Sequence, residues 1–202
     1  MKDLQFFFDF SSPFAYLAST QVEALAQRTG ARLIYRPFLL GGLFKAIGTP
    51  DVPLFSMPEA KRRHAAADMS RWADHYGVPL RFPTRFPMNT VKPLRMVLML
   101  DDAQKPAFVN AMFRAYWADD KDLNDDAVLA AIATELGLDG PALVEGTKDP
   151  AVKERLKAAT DEAARVGLCG APSFVVGDLL FWGQDRLLFV EKALQGWRPR
   201  GE

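Results

Sequence analysis

Strand-like segments occur only at the two ends of this 202-residue chain, and that distribution limits its possible folds more than any other feature. Leu4 to Phe10 is a short, mostly aromatic and apolar run, the pattern of a strand covered on both faces. RLIYRPF repeats the signal, and between the two runs apolar Phe14, Leu17, Val22 and Leu25 predict a helix from Pro13 to about Gln27. Near the other end, Ser173 to Val176 and Leu179 to Trp182 read as two short strands joined by Gly177-Asp178. A helix from about Gln184 to Trp197 closes the chain. From Leu43 to about Val166 the strand signal vanishes. Amphipathic helices are predicted there over Pro58 to Tyr76, Lys92 to Leu100, Ala107 to Ala118, Asp125 to Leu136 and Asp149 to Val166, with prolines at PDVP and VPLRFPTRFP breaking the pattern. A strand needs a neighbour, so the two ends are expected to meet in one sheet. The expected fold class is α/β: one domain from residues 1–42 and 167–202, interrupted by a helical insertion at 43–166.

Composition narrows the function. Acidic and basic residues balance at 25 each, with no stripe of basic residues interleaved with aromatics, so nucleic acid is not an expected partner. No apolar run reaches the ~18 to 20 residues of a membrane span, and the first residues lack a basic region followed by an apolar one. A cytoplasmic protein without a membrane partner is expected. Cys169 is the single cysteine, which excludes an internal disulfide and a CxxC pair. With two histidines, it offers no zinc-ligand spacing and no metal site. Cys169 itself reads as a small buried residue.

Two local patterns carry chemistry. In FFFDFSSPF the first strand runs through Ser11 and Ser12 into a helix that begins at Pro13, which suits the first helical position. Ser12 then falls at the N-cap, where a side chain either caps free N–H groups or helps hold an anion in the positive end of the helix field. There is no GxSxG turn, and both histidines, His64 and His75, lie in the helical segment. The Ser12 hydroxyl therefore reads as a hydrogen-bond donor and not as a nucleophile. The second pattern is Gly170-Ala171-Pro172-Ser173, where a proline directly before a strand is a candidate for a cis peptide bond.

In this order and spacing, SSPFAYLA, KRRH followed by DMSRWADHYGVPLRFP, GAPSF and FWGQDRL resemble the 2-hydroxychromene-2-carboxylate isomerase family, which is similar to kappa-class glutathione transferases. The resemblance spans essentially the whole chain. It implies a thioredoxin-like domain with an all-helical insertion, as in DsbA-like proteins, a homodimer, and glutathione as cofactor. Ser12, directly before Pro13, matches the family's catalytic serine, which hydrogen-bonds the glutathione sulfur. Ala171 matches the residue whose backbone pairs with the cysteinyl part, with Pro172 cis. Gln184 and Asp185 resemble the residues that hold the γ-glutamyl amine and carboxylate, and Lys61 matches a lysine near the glycyl carboxylate. Thr49 stands where the family more often has asparagine, and His64 where tyrosine is common.

The implied reaction is reversible addition of the glutathione thiolate to ring-opened 2-hydroxychromene-2-carboxylate, rotation about the new single bond, and elimination to trans-o-hydroxybenzylidenepyruvate. Phe14, Phe44, Phe55 and Trp72, with His64, are candidates for the wall of an aromatic substrate's pocket, although aromatics at helical spacing more often belong to the core. Arg62 and Arg63 read either as carboxylate contacts or as a solvated helix face. Two further classes share these features: a kappa-type transferase that conjugates electrophiles, and a non-catalytic glutathione-binding module. A disulfide oxidoreductase shares the architecture but requires two thiols.

Overall fold

The central strand explains the aromatic run near the start of the chain. In the computed structural model, which describes residues 1–50 and 52–200, β1 (Asp3–Phe8) lies inside a four-stranded sheet. It pairs in parallel with β2 (Arg32–Pro37) after the crossover helix α1 (Pro13–Thr29). On its other side it pairs antiparallel with β3 (Ser173–Val176), which turns back into β4 (Leu179–Trp182), giving the order β2-β1-β3-β4. Covered on both faces, β1 buries Leu4, Phe6, Phe7 and Phe8 almost completely. Phe6 stacks on Phe174 of β3 at a centroid distance of 5.5 Å, so the contact joins the two ends of the chain.

Among the described residues, eight helices lie between β2 and β3: α2 (Leu40–Ile47), α3 (Pro53–Ser56), α4 (Glu59–Tyr76), α5 (Val91–Met99), α6 (Lys105–Trp117), α7 (Asp126–Glu135), α8 (Gly140–Gly146) and α9 (Pro150–Val166). The expected starts at Asp125 and Asp149 are N-caps, each carboxylate accepting a first-turn N–H at 2.8 Å. Helices α2, α3 and α8 carry no clear sequence signal because they are short and α2 contains a Gly-Gly pair, which lowers helix propensity. Gly140 is fixed by packing: a Cβ there would meet the Ala130 carbonyl oxygen at 2.1 Å. Helix α9 packs on β2, α2 and α5, and α6 packs on α1, so sheet and helical segment share one core.

Two boundaries differ from the sequence pattern. β1 ends at Phe8 instead of Phe10, because the Asp9 carboxylate bonds the Ser11 N–H at 2.9 Å and turns the chain. The closing helix α10 spans Leu187–Leu194: Gln184–Arg186 form a single 3-10 turn before it, and Gly196 at φ 101° follows its end before Trp197. No described helix is long and apolar enough to cross a membrane.

The Phe6–Phe174 contact should dominate the pairing of the two chain ends. Phe174→Ala is expected to cost ~3–5 kcal/mol of stability, read as a lowered midpoint in urea unfolding.

Candidate active site

Ser12 sits in the turn between β1 and α1 and is 5% exposed. Its backbone is extended (φ −97°, ψ 118°), as an N-cap requires, and its Oγ accepts the Ala15 N–H at 3.2 Å. The same hydroxyl donates to the carbonyl oxygen of Ala171 at 2.8 Å, bridging 159 residues of sequence. The Ala171–Pro172 peptide is cis. Within the first turn, Pro13 has no N–H, Ala15 and Tyr16 donate to Ser12, and Phe14 N–H points out of the ladder without a protein partner among the described residues. The hydroxyl hydrogen and one helix amide are thus the donors available to an anion at this spot.

Asp9 lies behind the turn. It is 1% exposed, and its carboxylate accepts from the Ser11 N–H at 2.9 Å, the Thr90 hydroxyl at 2.6 Å and the Leu40 N–H at 2.7 Å. Burial pushes its pKa above the ordinary carboxylate value, against the lowering effect of those three donors.

Two cavities meet beside Ser12. One of ≈ 190 Å³ is lined mainly by apolar groups, including Phe14, Phe44, Met69, Phe86 and Trp182, with Ser12 in its wall. The other, of ≈ 310 Å³, is the more polar of the two: Asp68, Gln184, Asp185 and Arg186 line it together with Ala171 and Pro172. Phe14, Ala171 and Trp182 border both. A larger hollow of ≈ 450 Å³ around Lys2, Gln5 and Val176 shares no residue with either. In the polar cavity Asp185 is paired with Arg186 at 2.6 Å, and the buried Gln184 accepts from the Tyr76 hydroxyl at 3.2 Å. Burial and then the Asp185 charge push the Tyr76 phenol up, keeping it a neutral donor. Gly183 admits no side chain: its φ is +111°, and a Cβ would lie 2.5 Å from Asp185 Oδ1.

Of the residues singled out in the sequence, Ser12, Phe14, Phe44, Ala171, Pro172, Gln184 and Asp185 line these cavities. Thr49, Lys61, Phe55 and His64 line neither. Lys61 is exposed on α4, on the same stripe as Ala65 and Asp68, one turn from the first and two from the second. His64 is exposed on the same helix. Phe55 is 58% exposed and turns its ring edge toward Phe86 at 6.0 Å, behind the cavity wall. The Thr49 N–H closes the end of α2 on the Phe44 carbonyl. Trp72 packs on His75 and Tyr76 outside the apolar cavity. Cys169 is exposed and not buried as expected, because it sits in the loop between α9 and β3.

The sequence pattern did not reveal Asp9, Phe82, Phe86 or Trp182. Phe82 and Phe86 belong to a proline-broken loop with no periodicity. That loop becomes a cavity wall because Asp120 accepts the Thr84 N–H at 2.8 Å and Tyr116 donates to the Arg85 carbonyl at 3.0 Å. Trp182 ends β4 and reads as an exposed edge residue, yet its indole covers Gly170.

Comparison with known proteins agrees with this architecture. Residues 3–195 match the DSBA-like thioredoxin domain, which defines the class of the fold. A 2-hydroxychromene-2-carboxylate isomerase from Sphingobium xenophagum is 37% identical over 193 residues, covering 96% of this chain and 98% of that one. A solved structure of a 2-hydroxychromene-2-carboxylate isomerase superposes with a TM-score of 0.85 at 31% identity, covering 95% of this chain and 94% of the other. More distant is glutathione S-transferase kappa 1 of Caenorhabditis elegans, 26% identical over 211 residues, covering 97% of this chain and 92% of that one. The chain belongs to the 2-hydroxychromene-2-carboxylate isomerase family of enzymes within the DsbA-like thioredoxin class.

Trp182 divides the two cavities by resting on Gly170, where a Cβ would lie 2.6 Å from the indole nitrogen. Gly170→Ala should push the ring outward. The expected readout is a changed tryptophan emission spectrum with an unchanged far-UV circular dichroism spectrum.

Proposed function

We propose that this enzyme isomerises 2-hydroxychromene-2-carboxylate to trans-o-hydroxybenzylidenepyruvate with glutathione as cofactor. The observation that carries the reading is the Ser12 hydroxyl, 2.8 Å from the Ala171 carbonyl oxygen, at the junction of a polar and an apolar cavity. A chain whose single cysteine lies outside that junction has no thiol of its own to offer there.

The donor set suits glutathione, a tripeptide with one ammonium, two carboxylates and two amides. The Asp185 carboxylate is the acceptor for the ammonium, and Arg186 beside it is a cation for the neighbouring carboxylate. The Ala171 backbone would pair with the cysteinyl amide, and Lys61, two turns along α4 from Asp68 of that cavity, would be the cation for the glycyl carboxylate. When bound, glutathione supplies a thiolate able to add reversibly to a conjugated carbon. Ser12 stabilises the charged sulfur: a hydrogen bond to a charged group contributes about 1.5–3 kcal/mol, and one pKa unit corresponds to about 1.4 kcal/mol. With the α1 N-terminus, that is enough to lower a thiol pKa by roughly one to two units. The apolar cavity, walled by Phe14, Phe44 and Phe86, takes the aromatic part of the substrate and excludes water from it. The kinship with kappa-class glutathione transferases supports the cofactor, and kinship with the named isomerases supports the substrate. The same reading includes a homodimer in the cytoplasm.

Ser12→Ala is expected to leave glutathione affinity largely intact and to lower turnover about 10- to 100-fold. Asp185→Ala should instead raise KM for glutathione several-fold with little change in kcat. Both are read by absorbance with 2-hydroxychromene-2-carboxylate, with and without glutathione, and by recovering the glutathione afterwards. Consumption of one glutathione per turnover would point to a transferase, and glutathione-independent turnover would overturn the assignment of the cofactor.

A further inference from the structure

We propose that Asp9 is a positioning residue of this enzyme, its carboxylate locking the Ser12 turn to the two protein segments that wall the substrate cavity. The inference rests on the reading of the site given above.

Asp9 is fully enclosed, and among the described residues no Lys, Arg or His pairs with it. A buried carboxylate without a cation is costly, and an apolar side chain of similar size would fill the space more cheaply. What distinguishes Asp9 is the origin of its three donors. The first is the amide of Ser11, the residue next to the hydroxyl. The second is the amide of Leu40, at the first position of α2; Leu40 and Phe44 of that helix line the apolar cavity. Because Leu39 offers no capping side chain, the Asp9 carboxylate serves as the N-terminal cap of α2. The third is the hydroxyl of Thr90, which stands at the N-cap of α5 but makes no capping bond to its own helix. Thr90 follows Phe86 and Pro87, which form another wall of the same cavity.

One side chain therefore joins the serine turn to both walls. None of its donors belongs to Ala171, Pro172 or the Gln184–Arg186 turn, where glutathione is placed. Asp9 sets the hydroxyl relative to the substrate walls and touches none of the residues assigned to the ammonium, carboxylates and amides of glutathione. Its loss is expected to separate kcat from glutathione binding.

Asp9→Asn keeps the volume but turns an NH2 group toward one of the three donors. The expected result is a kcat lower by about ten- to hundredfold, the effect of an ångström-scale misplacement, with KM for glutathione and its calorimetric Kd within threefold of the parent. Thr90→Val removes a single donor and should shift the same two quantities in the same directions, whereas Thr90→Ser restores the parent kcat. A purely structural Asp9 would lower Tm while the folded variants kept the parent kcat, and that result overturns the proposal. So does a kcat loss that Thr90→Ser shares with Thr90→Val, or a parallel loss of glutathione affinity. Should Asp9→Asn fail to fold, the Thr90 pair decides. A parent protein that does not bind glutathione defeats the reading of the site itself, an outcome seen before any variant is made.

Discussion

The antiparallel pairing of β1 with β3 is the constraint on which the site depends. In this register Phe7 faces Ser173 and Phe6 faces Phe174, so the turn leaving β1 lies beside the segment entering β3. That places the Ser12 hydroxyl against the Ala171 carbonyl. A slip of one residue would exchange the two faces of the strand, taking Phe6 and Phe8 off the ring cluster with Tyr35 and Phe174. Packing of those rings thus selects the register that also aligns the chemistry. The closing entropy for residues so far apart in sequence grows only logarithmically with loop length, and the shared core with α6 and α9 offsets it.

The chemistry then turns on one hydrogen. In the structure the Ser12 hydroxyl donates it to the Ala171 carbonyl oxygen, a neutral acceptor, while the Ser12 oxygen accepts from the Ala15 amide. Hydrogen bonds to charged acceptors contribute more than those between neutral groups, about 1.5–3 against about 1 kcal/mol, so an anion placed within reach draws the hydroxyl toward itself. A short rotation of one side chain suffices. The oxygen keeps its amide donor meanwhile, which favours a poised donor over a nucleophile: the hydroxyl donates to a backbone carbonyl and not to a carboxylate or an imidazole.

What the sequence revealed and what it hid divide along the range of the interactions. Both hairpin strands, the βα junction at Ser12-Pro13 and the caps at Asp125 and Asp149 depend on neighbours a few residues away, and they were legible. The resemblance to relatives pointed to Ala171, Gln184 and Asp185, which share the polar cavity. Asp9 looked like an interruption of a strand because its donors come from residues 31 and 81 positions away as well as from Ser11. Phe82 and Phe86 gave no periodic signal because the loop that carries them is held by contacts with the end of α6 and the residues after it. Cys169 looked buried from its apolar neighbours, yet the preceding Gly167, at φ 90°, ends α9 and directs the chain outward.

The two cavities draw on different parts of the fold. Most of the polar one comes from the sheet's edge: the approach to β3, the end of β4 and the 3-10 turn, whose geometry follows from backbone pairing and from Gly183 at φ 111°. Most of the apolar one comes from α2, from α3 and the residues flanking it, from α4 and from the loop before α5. Backbone-determined geometry tolerates few changes, whereas side chains on helices and loops can be exchanged without disturbing the sheet. On the proposed reading, cofactor binding is therefore tied to the fold itself and substrate choice to the helical segment. The β1–α1 turn, through Phe14, borders both, as do Ala171 and Trp182; that turn also carries the hydroxyl, and Asp9 beneath it reaches into α2 and α5. Changes in the helical segment that move α2 or the start of α5 are transmitted through that one carboxylate to the serine, which couples substrate choice to the alignment of the reacting group.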